Sequence, residues 1–139
     1  MIFTTDIKVR GNQCDAYGHV NNARWVELLE EARWRWLDEH VDLDAWDEVG
    51  QGLAVVNLDV SYRLPAHPND TLEFRCWITK LGGRSAVCRQ EVYRKGTEER
   101  MLRADITFVL IDIASGRPRA MAGDAREMFL LYHAGEVRA

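Results

Sequence analysis

Cysteine is scarce in this 139-residue chain: Cys14, Cys76 and Cys88 are the only three, and no two stand in a Cys-x-x-Cys spacing. That odd number excludes a complete disulfide framework and reads as reduced thiols in a cytoplasmic protein. Long hydrophobic runs are also missing. None approaches the ~18–20 residues a membrane span needs. The opening MIFTTDIKVR has the alternation of a strand and not the pattern of a signal peptide. Positive charge is not in excess: 18 Lys and Arg face 22 Asp and Glu, for a net charge of −4. There is thus no global electrostatic case for a nucleic-acid partner. His40, His67 and His133 are scattered without metal-ligand spacing. No G-x-S-x-G elbow, P-loop or G-x-G-x-x-G occurs, so serine-hydrolase and nucleotide-fold readings have no support. Repeats, linkers and low-complexity tracts are absent too. The length suits one domain, 1–139, with a real core.

What the chain does have is a helix with an acid just ahead of it. From about Ala23 to Leu37 there is neither Gly nor Pro. Trp25, Leu28, Leu29, Ala32 and Trp36 recur at helical spacing, and Val26 and Leu37 widen the apolar stripe to roughly half the circumference. Such a helix must be wrapped on several sides. Either Asn21 or Asn22 can cap it. The helix is expected to end near Glu39 or His40, and Val41 to Gly52 to be irregular, with one short turn around Trp46.

Strands flank this helix. Phe3, Thr5, Ile7 and Val9 share one face of a first strand. Leu53 to Arg63 alternates Ala54, Val56, Leu58, Val60 and Tyr62 against Val55, Asn57, Asp59, Ser61 and Arg63, and Pro65 and Pro68 end it. Thr71 to Lys80 puts Leu72, Phe74, Cys76 and Ile78 on one face. Gly82-Gly83-Arg84 makes a hairpin turn into a less regular strand, Ser85 to Arg94. Met101 to Asp112 alternates clearly through Leu102, Ala104, Ile106, Phe108 and Leu110. A last helix is expected from Asp124, with Glu127 completing a capping box. Hairpin-linked strands around one broad apolar helix predict an α+β hotdog fold: a curled antiparallel sheet wrapped around a long helix, with a short C-terminal helix. An open curled sheet leaves edges, which pairing two sheets in a dimer would cover.

The chemistry sits at the helix entrance. Asp15 lies about seven residues before the positive end of the helix. An ionised carboxylate can take a proton from water or attack an acyl carbon. The unpaired N–H groups that open the helix can hold a developing oxyanion. Asp also caps its own turn in many loops, and that reading stands beside the first. His19 either orients Asp15, touches substrate or packs in the loop. Cys14 reads as small filler, because no base partner is evident. Arg33 falls inside the apolar arc, where a buried charge needs a partner; Glu30 is the nearest candidate. Trp34 lies on the charged side and is expected beneath a subunit contact or the Trp46 segment. Asn57 and Asp59 mark either a partly wet face or, for Asn57, a cavity wall. Arg63, Lys80, Arg84 and Arg89 are either local phosphate partners or solvated surface.

The segment VRGNQCDAYGHVNNARWVELLEEARWRWL resembles the signature of the 4-hydroxybenzoyl-CoA thioesterase-like hotdog family, most of all its long-chain acyl-CoA thioesterase (FadM, thioesterase III) branch. VVNLDVSYRLPA and ADITFVLID match in kind and order, so the resemblance runs from Ile7 to about Phe129. It implies hydrolysis of acyl-CoA thioesters without a bound cofactor or metal, by a homodimer that often doubles to a homotetramer. It places the catalytic carboxylate on Asp15 and the oxyanion-binding amide on Asn22, give or take one residue. It places the active sites at the dimer interface, where the strand carrying Asn57 joins the two sheets. Trp25 stands where the family usually has Tyr, and Tyr17-Gly18 varies among members, so both bear on acyl-chain preference. CoA phosphates would lie near arginines, with Arg63 and Arg84 as candidates. Competing readings are a non-catalytic acyl-CoA sensor, disfavoured because the chain begins directly with its first strand, and a hotdog hydratase acting on enoyl or hydroxyacyl thioesters.

Overall fold

A computed structural model describes the backbone of residues 1–137 and the side chains of residues 1–134. In chain order the elements are strand β1 (Phe3–Lys8), a 3-10 turn (Gly11–Gln13), helix α1 (Asn22–His40), helix α2 (Leu43–Glu48), then strands β2 (Gln51–Tyr62), β3 (Thr71–Leu81), β4 (Ser85–Arg94), β5 (Arg100–Asp112) and β6 (Pro118–Arg119), helix α3 (Gly123–Leu131) and strand β7 (His133–Val137).

The sheet runs β1-β3-β4-β5-β2 with antiparallel neighbours, and short β6 pairs with β5. β7 joins β3 in parallel, a strand the sequence pattern does not announce. The inward residues of β3 and β5 are those the alternation predicts: Leu72, Phe74, Cys76 and Ile78, and Leu102, Ala104, Ile106, Phe108 and Leu110, are all buried. They pack on Trp25, Leu28, Leu29, Ala32, Trp36 and Leu37 of α1, which spans about 28 Å at 1.5 Å per residue. Each such buried side chain contributes roughly 1.5–3 kcal/mol. This is the hotdog arrangement expected from the pattern.

Four local expectations are corrected. The turn expected around Trp46 is there, but as a full helix in place of an otherwise irregular stretch: Asp42 caps α2 by accepting from Ala45 N–H, and Trp46 is buried with its indole N–H on Asp124. The expected capping box does not form, because α3 starts at Gly123 with Ala122 as its N-cap, which puts Asp124 inside the first turn, where its Oδ1 accepts from Ala125 N–H at 2.8 Å. In β2 the register slips between Val55 and Asn57, so Val56 is an inserted bulge residue. A bulge flips the side-chain parity. Leu53 and Val55 therefore face Leu110 and Phe108 across the pair, while Leu58, Val60 and Tyr62 face Ile106, Ala104 and Leu102. The single face from Ala54 to Tyr62 does not exist. In β4 the buried face is Ala86, Cys88, Gln90 and Val92. A buried glutamine is what makes that strand's alternation look irregular.

The fourth correction concerns Arg33. Its Nη1 donates to Gln90 Oε1 at 2.9 Å, while Glu30 accepts from the Trp34 indole instead. The Gln90 amide in turn donates to Leu29 O and lies 3.2 Å from Cys76 Sγ. Burial pushes the Arg33 pKa below its ordinary value, and nearby Cys88, Glu30 and Cys76 offset part of that.

Strand β2 ends the hydrogen-bonded order, so its outer edge is unpaired among the described residues. Val55, Val56, Leu58 and Tyr62 are each more than a third exposed along it, and Trp34 of α1 is 46% exposed.

Candidate active site

The loop between the 3-10 turn and α1 is a closed hairpin. Cys14 and Val20 form an antiparallel bridge. Inside it Asp15 N–H donates to His19 O at 2.8 Å, and Gly18 N–H donates to Asp15 O at 3.0 Å. Gly18 has φ +74°, a conformation that costs glycine little and other residues more. Val20 N–H donates to Ala66 O and Asn21 N–H to Gln13 O, which fixes the hairpin to its neighbours.

Both readings of Asp15 meet here. Its Oδ1 accepts from Tyr17 N–H at 2.9 Å and from His19 N–H at 3.4 Å, so the residue does cap its turn. Its other oxygen, Oδ2, has no hydrogen-bond partner among the described residues, and the residue is exposed. One oxygen holds the turn and the other is left without a partner there. Cys14 beside it is a poor nucleophile, because burial and then the charges of Asp15 and Asp70 push its thiol pKa up.

Asn21 is the cap of α1: its side chain accepts from Ala23 N–H at 2.9 Å. Asn22 is therefore the first helical residue. Its N–H has no acceptor among the described residues, whereas its C=O accepts from Tyr62 Oη at 2.9 Å. A helix-start N–H left open is an anion site. Asp15, His19, Asn22, Trp25, Tyr62 and Arg63 share the lining of one open groove of about 210 Å³.

The structure thus brings together five of the eight residues singled out from the sequence: Asp15, His19, Asn22, Trp25 and Arg63. Trp25 is 97% covered and forms the groove's floor as part of the core. Tyr17 is 85% exposed at the hairpin tip and does not line the groove. Asn57 is exposed on the outer face of the sheet, opposite Thr107. Arg84 lies with Arg117 and Arg119 in a depression at the β3–β4 turn. In the sheet that turn sits level with Ala54, at the far end of β2 from Tyr62. Sequence reasoning missed Tyr62, whose alternation marks it only as a core-facing residue. It also missed a small apolar cavity of about 90 Å³ between α1, β2 and α3, lined by Arg33, Trp34, Leu53, Val55 and Phe108. Among the described residues no cluster of three or more metal-ligating side chains occurs, and no helix is long and apolar enough to cross a membrane.

Residues 9–129 match the model of the thioesterase-like superfamily. The chain is 37% identical over 123 residues to the long-chain acyl-CoA thioesterase FadM of Escherichia coli K12, covering 88% of this chain and 93% of that protein. It is 30% identical over 122 residues to the acyl-CoA thioester hydrolase YbgC of Escherichia coli O6:H1, covering 86% and 90%. Among solved structures, the probable thioesterase YbaW of Escherichia coli superimposes with a TM-score of 0.81 at 36% identity, covering 93% of this chain and 97% of that one.

Proposed function

The chain belongs to the thioesterase-like superfamily, and from that premise we propose that it hydrolyses fatty acyl-CoA thioesters to the free acid and CoA. The observation that carries the reading is that one groove is lined both by Asp15, with one carboxylate oxygen that no described residue engages, and by Asn22, with its open N–H.

The thioester carbonyl oxygen would lie against the Asn22 N–H. As the acyl carbon becomes tetrahedral, the carbonyl electron pair moves onto that oxygen, and the helix start stabilises it. Asp15 Oδ2 serves in one of two ways. As general base it takes a proton from the water that attacks. As nucleophile it bonds to the acyl carbon, and water later opens the mixed anhydride. In both, collapse of the oxyanion breaks the C–S bond and the pair leaves on the CoA sulfur. Oδ1 stays bound to Tyr17 N–H and His19 N–H, so the carboxylate needs no reorientation. No metal or cofactor has a part in this scheme.

The working unit is a homodimer of single-domain chains that can double to a tetramer. The unpaired β2 edge carries exposed Val55, Val56, Leu58 and Tyr62, a surface that invites a second copy. A two-fold pairing of β2 edges is antiparallel, so it sets one chain's Tyr62 end beside the partner's Leu53 end. The partner's apolar cavity then adjoins the Asp15 groove and would receive the acyl chain. Arg63, and Arg84 of the opposite copy, would meet CoA phosphates. The reading places the enzyme in the cytoplasm.

The test is release of free thiol from a chain-length series of acyl-CoAs, run beside the absorbance change with crotonyl-CoA. Thiol release supports hydrolysis. Hydration of crotonyl-CoA without thiol release points to the hydratase reading, and tight acyl-CoA binding without either reaction points to the sensor.

A further inference from the structure

The turn that follows β2 presses a second histidine against the candidate active site. His67 and His19 pack edge to face, with ring centroids 4.9 Å apart and planes at 88°. His67 belongs to neither the hairpin nor α1. It is the first residue of a tight turn, His67-Pro68-Asn69-Asp70, closed by Asp70 N–H donating to His67 O at 3.1 Å. Pro68 suits the second position of a type II turn, and Asn69 takes φ +72° at the third, the only non-glycine positive φ among the described residues. Non-glycine residues enter that region at some cost, and the surroundings must hold them there.

The surroundings do hold it. Asp70 Oδ2 accepts from His67 N–H at 2.9 Å and from Arg94 Nη1 at 2.8 Å, and it lies 3.7 Å from His67 Nδ1. Burial raises the Asp70 pKa, but these hydrogen bonds and the Arg94 charge outweigh it and leave the carboxyl below its ordinary value. Val9 clasps the turn from the β1 side, donating to Asp70 O and accepting from Asn69 N–H. Just before the turn, fully buried Ala66 accepts the Val20 N–H from the Asp15 hairpin. The turn is thus fixed to β1 and β4 and presents one ring, itself half-exposed, to His19.

We propose that His67 is a positioning residue for the Asp15 hairpin, acting through the ring of His19. His19 is the residue whose N–H and C=O both bind Asp15. Fixing its ring fixes its backbone, and its backbone sets the carboxylate. The proposal rests on the reading of the groove as a thioesterase site. It goes beyond that reading by assigning catalytic geometry to a residue outside the groove's lining.

The test compares His67→Ala with His67→Phe, which keeps an aromatic ring in the same place. Kinetics use dodecanoyl-CoA, and the His19 ring and amide signals are followed by NMR. His67→Ala is expected to lower kcat about tenfold with KM within about twofold, because small losses of alignment act on the chemical step. The His19 signals should shift and broaden. His67→Phe should restore kcat to within about threefold of wild type and sharpen the His19 signals again. Unchanged kcat and His19 signals in His67→Ala would overturn the proposal, as would a His67→Phe as impaired as His67→Ala. The two readings fail separately. A wild-type protein that releases no CoA, yet whose His19 signals respond to His67→Ala and recover in His67→Phe, loses the thioesterase reading and keeps the positioning contact. An active wild type with a silent His67→Ala keeps the thioesterase reading and loses this one.

Discussion

Arg33 on the long helix gives its Nη1 hydrogen to the side-chain carbonyl of Gln90, 57 residues away on β4, at 2.9 Å. The guanidinium is answered inside the fold by a neutral amide, since no carboxylate comes within ion-pair distance of it among the described residues. Gln90 is the fully buried polar side chain that ties helix to sheet at the centre of the core.

Replacing Gln90 by Leu should therefore do more than remove one hydrogen bond. It leaves a half-buried cation without its acceptor, at a cost of about 2–4 kcal/mol. Arg33→Met in the same chain should recover part of that loss, because an apolar pair satisfies itself. Urea denaturation of the two single variants and the double variant measures the coupling. Strict additivity would show that the pair does not act as a unit.

Asp15→Asn keeps an Oδ1 that can accept from Tyr17 N–H, so the hairpin should survive and the melting temperature should change little. The amide cannot act as base or anionic nucleophile. Thiol release from acyl-CoA should fall on the order of 10²–10⁴-fold in kcat. Near wild-type turnover would reduce Asp15 to a turn cap.

Asn22 occupies the first helical position, where proline is tolerated. Asn22→Pro deletes the open N–H, and kcat should fall roughly 10²–10³-fold while circular dichroism stays unchanged. In the Asp15→Asn background the same change should cost less, because both act on one step. A silent Asn22→Pro would move the oxyanion donor to a neighbouring amide.

Leu58→Lys puts a charge beside the unpaired β2 edge, a device that proteins use to block edge pairing. Sedimentation should shift from dimer or larger toward a monomer of about 16 kDa. Activity should fall in parallel. A fully active monomer would contradict a site completed by the partner's cavity.

Arg63 lines the groove and makes no side-chain ion pair among the described residues, whereas Arg119 spends a hydrogen bond on Val49 O. Arg63→Ala and Arg84→Ala should each raise KM severalfold with kcat nearly unchanged, since phosphate contacts bind ground and transition states alike. A fall in kcat at constant KM would assign Arg63 to the chemical step.

The sequence by itself determined the elements with clean periodicity. α1 shows a helical stripe, and β3 and β5 alternate from Leu72 to Ile78 and from Leu102 to Leu110, because one face of each meets an apolar neighbour over that length. It also marked Asp15 and the helix start, since an acid before an asparagine-capped apolar helix is a local pattern. Only the tertiary structure decided the rest. Val56 became a bulge through the pairing of β2 with β5, which no run of side chains encodes. Arg33 chose Gln90 over Glu30 because the sheet delivers an amide to the buried side of the helix, while Trp34 engages Glu30 outside. Asp124, whose Oδ1 also accepts the Ala125 N–H in the first turn of α3, takes the Trp46 indole N–H for a similar reason: a buried donor from a distant segment needs an acceptor. His67 reached His19 across 48 positions because the turn carrying it is fixed to β1 and β4, and long-range contacts of that kind leave no periodic trace in the chain.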